Sequence, residues 1–258
     1  MNKKIVKIGN LEIGSDKIVL IAGPCAIESE EELILDTKEL KKVDVYRGGA
    51  FKSRTSPYSF SGLGQKGIDI LKKISKANNK LSITEITSIN LVPEYEKNVD
   101  IIQVGARNMQ NFELLKALGK TNKPIMIKRG FGNTLEELLY AAEYVSKEGN
   151  QNIILCERGI RTFENSTRFT LDISAIAVLK EKTPYPVIVD PSHAAGNSKY
   201  VEALSLAAVA AGADGLMIEV HSNPEKALSD KEQALKPEEY NQLIDKAEKV
   251  AKAIGRSI

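Results

Sequence analysis

Eight short apolar runs punctuate the chain, and each gives way to polar or charged residues. They occupy 18–24 (IVLIAGP), 43–50 (VDVYRGGA), 81–86 (LSITEI), 101–106 (IIQVGA), 124–129 (PIMIKR), 152–157 (NIILCE), 186–191 (PVIVDP) and 215–221 (GLMIEVH). Near-continuous apolar character is expected of parallel strands covered on both faces. Between the runs, apolar residues recur at helical spacing. The first such segment, SEEELILDTKELKK, opens on Ser29 as an N-cap with acids in its first turn, which satisfies free backbone N–H groups and complements the helix dipole. Seven more follow, ending with KPEEYNQLIDKAEKVAKAI. Eight β–α units predict an α/β fold, a (β/α)8 TIM barrel. An open doubly wound sheet is the competing arrangement, but no GxGxxG follows the first strand.

Ahead of the first run, KKIVKIGNLEIGSDK alternates around Gly9-Asn10 and predicts a β-hairpin. Residues 1–17 are therefore expected to plug the bottom of the barrel, and 18–258 to form one catalytic barrel without linker or second domain. Composition supports a large core, with 42% apolar and 27% charged residues. A net charge of +2 gives no footprint for nucleic acid. No apolar segment approaches a membrane span. The N-terminal stretch imitates a lipoprotein signal only faintly, because Asn10, Glu12, Ser15 and Asp16 interrupt it and Pro24 precedes the cysteine. Two cysteines make no disulfide framework, so a cytoplasmic protein is expected.

In such a barrel the active site lies at the C-terminal ends of the strands. The first run ends in Cys25. The second offers Arg47, then Lys52, Arg54 and Thr55 in FKSRTSP. The third offers Glu85, the fourth Arg107, and the fifth Lys128 and Arg129. The sixth offers Glu157, Arg158 and Arg161, the seventh Asp190 and His193, and the eighth Glu219 and His221. Cations thus come from strands two, four, five and six. Strands seven, eight and one, neighbours around a closed barrel, supply cysteine, histidine and carboxylates.

A single Arg or Lys is ordinarily a solvated surface charge. Cations crowded on a barrel mouth, however, repel unless an anion compensates them. Lys52 and Arg54, two apart beside Thr55, suit a phosphate held by a loop. Arg107, Lys128 and Arg158 come from different strands and can converge on a second anion. Two anionic groups, on one substrate or two, are the economical reading. A lone histidine is more often structural, but both histidines here, His193 and His221, fall at strand ends near Cys25 and Glu219. Glu219 and His221 are two apart and are expected on one strand face. Asp230 in the next loop is a further oxygen donor. Mixed sulfur, nitrogen and oxygen donors favour Mn²⁺, Fe²⁺, Co²⁺ or Zn²⁺ over Mg²⁺ or Ca²⁺. Cys156, inside NIILCERG, reads as core filling.

The stretches GPCAIES, GGAFKSRTSPYSFSGLG, QVGARNMQN, IKRG, CERGIRTF, VDPSHAAG and IEVHSNPEKALSD together resemble the 3-deoxy-D-arabino-heptulosonate-7-phosphate (DAHP) synthases, in their short type I beta form. The resemblance spans the chain from the first strand onward. It implies condensation of phosphoenolpyruvate with erythrose 4-phosphate and water, the first committed step of the shikimate route to aromatic amino acids. It implies one divalent metal ion held by Cys25, His193, Glu219 and Asp230. Arg107, Lys128 and Arg158 would grip the phosphate of phosphoenolpyruvate, and Arg47, Lys52 and Lys128 its carboxylate. Glu85 would stand near the same substrate through water. Arg54 and Thr55 would take the aldose phosphate, with Asp230 facing the aldose. Lys52, Cys25 and His193 are the positions carried over as catalytic.

The sister 3-deoxy-D-manno-octulosonate-8-phosphate synthases typically carry a KANRSS-like loop where this chain has KSRTSP. The missing Asn favours erythrose 4-phosphate over arabinose 5-phosphate. Relatives commonly place Pro after the loop lysine, and here it is Ser53. Many also carry an N-terminal ferredoxin-like domain or a fused chorismate mutase. With 17 residues before the first strand, feedback inhibition through an added domain is not expected. A homo-oligomer, dimer or tetramer, is expected, with no nucleic-acid or membrane partner.

On this reading C3 of phosphoenolpyruvate attacks the aldehyde, water captures C2, and phosphate leaves by C–O cleavage. The metal would act as a Lewis acid at the aldehyde oxygen. The group that activates the water is open among Glu85, Lys52, His193 and a water on the metal. Two other classes compete. A Schiff-base aldolase would use Lys128 as nucleophile with Arg129 depressing its pKa. A non-catalytic barrel would show broken ligand sets, whereas every family position is filled.

Overall fold

The computed structural model describes residues 3–52 and 58–258. Strands β1 (Val6–Ile8) and β2 (Leu11–Ile13) form an antiparallel hairpin. It turns at Gly9, whose φ of +57° lies in the left-handed region that glycine enters without penalty. Eight parallel strands follow: β3 (Val19–Gly23), β4 (Val45–Arg47), β5 (Leu81–Ile86), β6 (Ile101–Val104), β7 (Ile125–Lys128), β8 (Ile153–Glu157), β9 (Val187–Val189) and β10 (Gly215–Glu219). They close into a barrel, with β10 paired to both β9 and β3. Each predicted run contains one of these strands, shortened where the polar residues begin. No helix among the described residues is long and apolar enough to cross a membrane.

Period-two alternation along the strands divides the core in two. Val19, Ile21, Val45, Ile83, Ile101, Met126, Ile154, Ile188 and Met217 point inward and pack with Val6 and Ile13 of the hairpin. Their neighbours Leu20, Tyr46, Ile102, Ile127, Leu155, Val189 and Ile218 pack outward under the helices. The hairpin therefore fills the N-terminal end of the barrel. One step of two residues further along, the inward layer changes character. Val45 leads to Arg47, Ile83 to Glu85, Ile101 to Gln103, Met126 to Lys128, Ile188 to Asp190 and Met217 to Glu219. The apolar layer is the floor on which a polar layer stands.

Nine α-helices occur among the described residues, one more than the sequence pattern suggests. The additional helix, Pro191–Ala195, occupies the stretch that reads as a loop after β9. Its ends explain it. Asp190 accepts a hydrogen bond from the His193 N–H as N-cap, Pro191 takes the first turn, and Gly196 closes the helix at φ +64°. His193 is thus held on a helix rather than on a free loop.

Candidate active site

Gly23 ends β3 at φ +144°, and a Cβ there would overlap the Arg47 backbone carbonyl. Only glycine passes that point. The chain then pairs with the loop after β4: Gly49 donates to the Cys25 carbonyl (3.1 Å) and Ile27 donates to the Gly49 carbonyl (3.0 Å). This zipper brings Cys25 beside Lys52, whose Nζ donates to Cys25 Sγ (2.8 Å) and to its carbonyl (3.0 Å). The thiol in turn donates to Asp230 Oδ2 (2.9 Å). Asp230 comes from the loop after β10. That loop is clamped at its base by the His221 N–H on the Leu235 carbonyl and the Leu235 N–H on the Glu219 carbonyl, both 2.9 Å.

Cys25, His193, Glu219 and Asp230 converge, with one donor atom from each lying within 4.8 Å of the others. His193 turns Nε2 to this cluster, 3.6 Å from Glu219 Oε2. Its Nδ1 lies 2.8 Å from Asp190 Oδ2, off the line of a hydrogen bond. Burial pushes the Cys25 thiol up to about 11, reinforced by Glu219 and opposed by Lys52. Burial also pushes Glu219 up to about 7, against Arg47. Burial takes His193 down to about 3, leaving a neutral imidazole. Asp230 is held low: burial opposes this, but His193, the Cys25 thiol, Lys52 and Arg168 outweigh it.

This donor set fits a divalent ion. It offers a thiol, an imidazole and two carboxylates, with an ammonium already resting on the sulfur where positive charge is favourable. A neutral imidazole is the ligating form, and Asp190 behind it supplies the orienting carboxylate common around metal-bound histidines. Cys25 and Glu219 retain protons that a cation would displace.

Beside the cluster opens a cavity of about 260 Å³, lined by Arg47, Lys52, Glu85, Arg107, Lys128, Arg158, His193 and Asp230 among others. Its buried cations are paired. Arg47 Nη1 meets Glu219 Oε2 at 3.2 Å, and Lys128 Nζ meets Asp190 Oδ2. Arg158 is the exception: it is buried, and among the described residues Nη1 has no partner and Nη2 reaches only the His193 carbonyl at 3.4 Å. Burial accordingly lowers its pKa. Glu85 lies against Gly105, where a Cβ would overlap its carboxylate.

The profile of the DAHP synthetase I family matches residues 3–256. The chain belongs to this family. It is 47% identical over 253 residues to a phospho-2-dehydro-3-deoxyheptonate aldolase from Thermotoga maritima, covering 97% of this chain and 75% of that protein. A crystal structure of the Thermotoga maritima DAHP synthase superposes with a TM-score of 0.96 at 46% identity, covering 99% of this chain and 76% of that one. A truncated form from the same organism superposes at 0.92, covering 95% of its length. A 2-dehydro-3-deoxyphosphooctonate aldolase from Geotalea uraniireducens is more distant, 33% identical over 264 residues, covering 94% of this chain and 96% of that protein.

Within this DAHP synthetase barrel, two expectations need correction. His221 does not share a face with Glu219, because β10 ends at Glu219 and period two ends with it. Its imidazole is buried against Glu28, Glu32 and Asp36, at 3.6 to 3.8 Å. That second cluster is bonded only in part from the loop itself, since Asp36 Oδ2 and His221 Nε2 have no hydrogen-bond partner among the described residues. Asn223 N–H donates to His221 Nδ1, Ser222 N–H to Asp36, and Ser222 Oγ to Glu32. It anchors the start of the loop that carries Asp230. Arg129, in turn, lies one residue past the end of β7 and is held by Glu157 and Asp172. Lys128 is ion-paired rather than a free amine, so the Schiff-base reading loses its support. Arg54 and Thr55 lie outside the described residues. Cys156 is fully buried in the barrel interior, pushed up to about 12 by burial, apart from the four-donor cluster.

The strand-end reading names Asp190 but gives it no role, and the structure sets it behind His193. Arg168 is not singled out by the sequence. Arg168 lies far along a loop, and only the fold carries it to Asp230 (3.3 Å) and Gln233 (3.1 Å).

Proposed function

We propose that this chain is a DAHP synthase, joining phosphoenolpyruvate, erythrose 4-phosphate and water into DAHP and phosphate at the head of the shikimate route. One observation carries the reading: a single cavity sets cations from four strands against a Cys–His–Glu–Asp cluster in a chain of this family.

Arg107, Lys128 and Arg158 hold the substrate phosphate, and Arg47, Lys52 and Lys128 its carboxylate. The partnerless Nη1 of Arg158 supports this role, since a phosphate oxygen completes a charge-assisted bond that folding leaves unmade. Arg54 and Thr55 take the aldose phosphate, with Asp230 facing the aldose. The new bond joins C3 to the aldehyde carbon, and water, positioned by Glu85, adds at C2. The C2–O bond to phosphate then breaks. The two protons of the water end on the new hydroxyl and on phosphate. The cations stabilise the leaving group without reorganising, because they are in place beforehand. A divalent ion held by Cys25, His193, Glu219 and Asp230, of the Mn²⁺, Fe²⁺, Co²⁺ or Zn²⁺ group, would supply Lewis-acid stabilisation at the aldehyde oxygen.

Phosphate release from phosphoenolpyruvate tests the reading, measured with erythrose 4-phosphate or arabinose 5-phosphate, before and after chelation. Release with the four-carbon sugar that chelation abolishes is expected. Release only with the five-carbon sugar overturns it. A cytoplasmic location and a homo-oligomer belong to the same proposal. The two free cysteines support the first, and the family resemblance the second. A monomer by light scattering would refute the oligomer.

A further inference from the structure

The cavity wall between β7 and β8 contains two aromatic rings to which the reaction assigns no task. Phe131 follows β7, and Phe169 lies in the loop after β8. Their rings stack, with centroids 5.5 Å apart and planes 25° from parallel. Each carries two guanidinium groups. Arg107 and Arg161 lie 5.9 and 4.4 Å from the Phe131 centroid, and Arg158 and Arg168 lie 4.2 and 5.8 Å from that of Phe169.

Arg158 has the closest of these contacts, and it is buried with little hydrogen bonding. Nη1 has no partner, and Nη2 makes one 3.4 Å bond. Lys128 and Arg47, by contrast, each meet a carboxylate. The face of Phe169 is thus the main attractive surface that fixes the Arg158 plane. A ring face is negative, and it attracts a desolvated guanidinium without occupying the edge that binds an oxyanion. Phe169 is itself firmly placed. Its N–H donates to the Ala194 carbonyl (2.9 Å), and Gly159 at φ +92° makes room for it, since a Cβ there would come within 2.7 Å of the Phe169 Cβ.

We propose that Phe169, backed by Phe131, is a positioning residue for phosphoenolpyruvate: its ring face holds the Arg158 guanidinium in the plane that receives the substrate phosphate. The inference rests on Arg158 being a phosphate ligand of the proposed reaction. Pre-orienting one charged group in this way tightens anion binding by roughly 2- to 30-fold, and the gain falls on binding rather than on the bond-forming step.

Fluorinated phenylalanines at position 169 test this, because fluorine drains the negative face while barely changing ring volume. The dissociation constants of phosphoenolpyruvate and of inorganic phosphate are measured by calorimetry on the metal-loaded protein. Both should weaken stepwise with fluorine count, reaching about 10-fold for the pentafluoro ring, while kcat at saturating substrate changes less than the dissociation constant. Phe169→Tyr, which keeps the ring face, should bind like the unchanged protein, and Phe169→Leu should match the most fluorinated ring. Constants that stay flat across the fluorine series overturn the proposal, as does a loss confined to kcat. Failure of the unsubstituted protein to bind phosphoenolpyruvate would instead refute the proposed function.

Discussion

Filling the four-donor cluster with a divalent ion should eject protons, and the site sets their number. Cys25, held near 11, is protonated at neutral pH, and a metal thiolate requires that proton to leave. Glu219, pushed to about 7, carries roughly half a proton at the same pH. His193, near 3, is neutral, and Asp230, held low, is ionised, so neither has a proton to give. At pH 7 the release is therefore about one proton from Cys25 and about half from Glu219, roughly 1.5 in all. Near pH 8.5 Glu219 is already ionised and the count falls towards about one, whereas near pH 5.5 it rises towards about two. Metal affinity rises with pH, with a slope equal to the count, because ligand protons oppose binding. The gap of about four units at Cys25 costs about 5 kcal/mol at pH 7, which the metal–sulfur bond must offset. Calorimetric titration of the metal-free protein with Zn²⁺, in two buffers of different ionisation enthalpy, reads the count directly. Cys25→Ala should lower it by one proton at each pH and leave the Glu219 share. A count near zero at neutral pH, or one that Cys25→Ala does not change, would refute the thiolate assignment.

Cys25→Ala should also weaken metal retention and abolish turnover with the circular dichroism spectrum unchanged. Cys156→Ala should retain metal and lose about 1–2 kcal/mol of stability in urea unfolding, because it leaves a cavity in the barrel interior. Gly105→Ala adds a methyl where the Glu85 carboxylate lies. Its backbone at φ −67° and ψ 157° is ordinary, so stability should hold within about 1 kcal/mol while kcat/KM falls about 10- to 100-fold; unchanged turnover would remove Glu85 from the site. Burial raises Asp36 to about 7 from its usual 3.8, with Ser222 opposing and Glu32 and Glu28 adding. A carboxyl raised on folding destabilises above its folded pKa, and the loss is relieved as pH falls from about 7 towards 4. Asp36→Asn should therefore stabilise the metal-free protein by about 1–3 kcal/mol near pH 8 and have little effect near pH 4; equal unfolding free energies at both pH values would contradict it.

Most of the fold was legible because parallel strands buried on both faces have a signature that loops and helices lack. The runs around Ile21, Met126 and Ile154 needed no partner to be recognised. Strand ends were less legible. A strand stops where hydrogen bonding with its neighbour stops, and that depends on register. The residue pair Glu219 and His221 shows the consequence: extending period two beyond β10 put His221 in the wrong place. The candidate site was legible where a strand delivers a residue, as at Arg47, Lys128 and Glu219. It was not legible where a loop returns from a distance, as for Arg168 and the stacked phenylalanines, since no local spacing encodes which ring a loop tip will meet.

The segregation of cations from metal-type donors read along the chain becomes interdigitation across the barrel mouth. Lys52 rests on Cys25, Arg47 on Glu219, and Lys128 on Asp190 behind His193. Each contact joins a group proposed for the substrate anion to one in or behind the proposed metal cluster. Buried charges left unpaired cost several kcal/mol, so neither half can stand charged and empty on its own. The cations need the carboxylates until an anion arrives, and Cys25 and Glu219 need protons or cations until an ion arrives. An ion in the cluster would take over the compensation of Cys25 and Glu219, and Lys52 and Arg47 would become available to a substrate carboxylate. Because binding free energies are linked, a substrate anion must then tighten the ion by the same factor. The sharing of partners, rather than the number of cations, makes the two halves of the cavity one electrostatic unit, and it explains why Arg158, which has no carboxylate to share, is held by a ring instead.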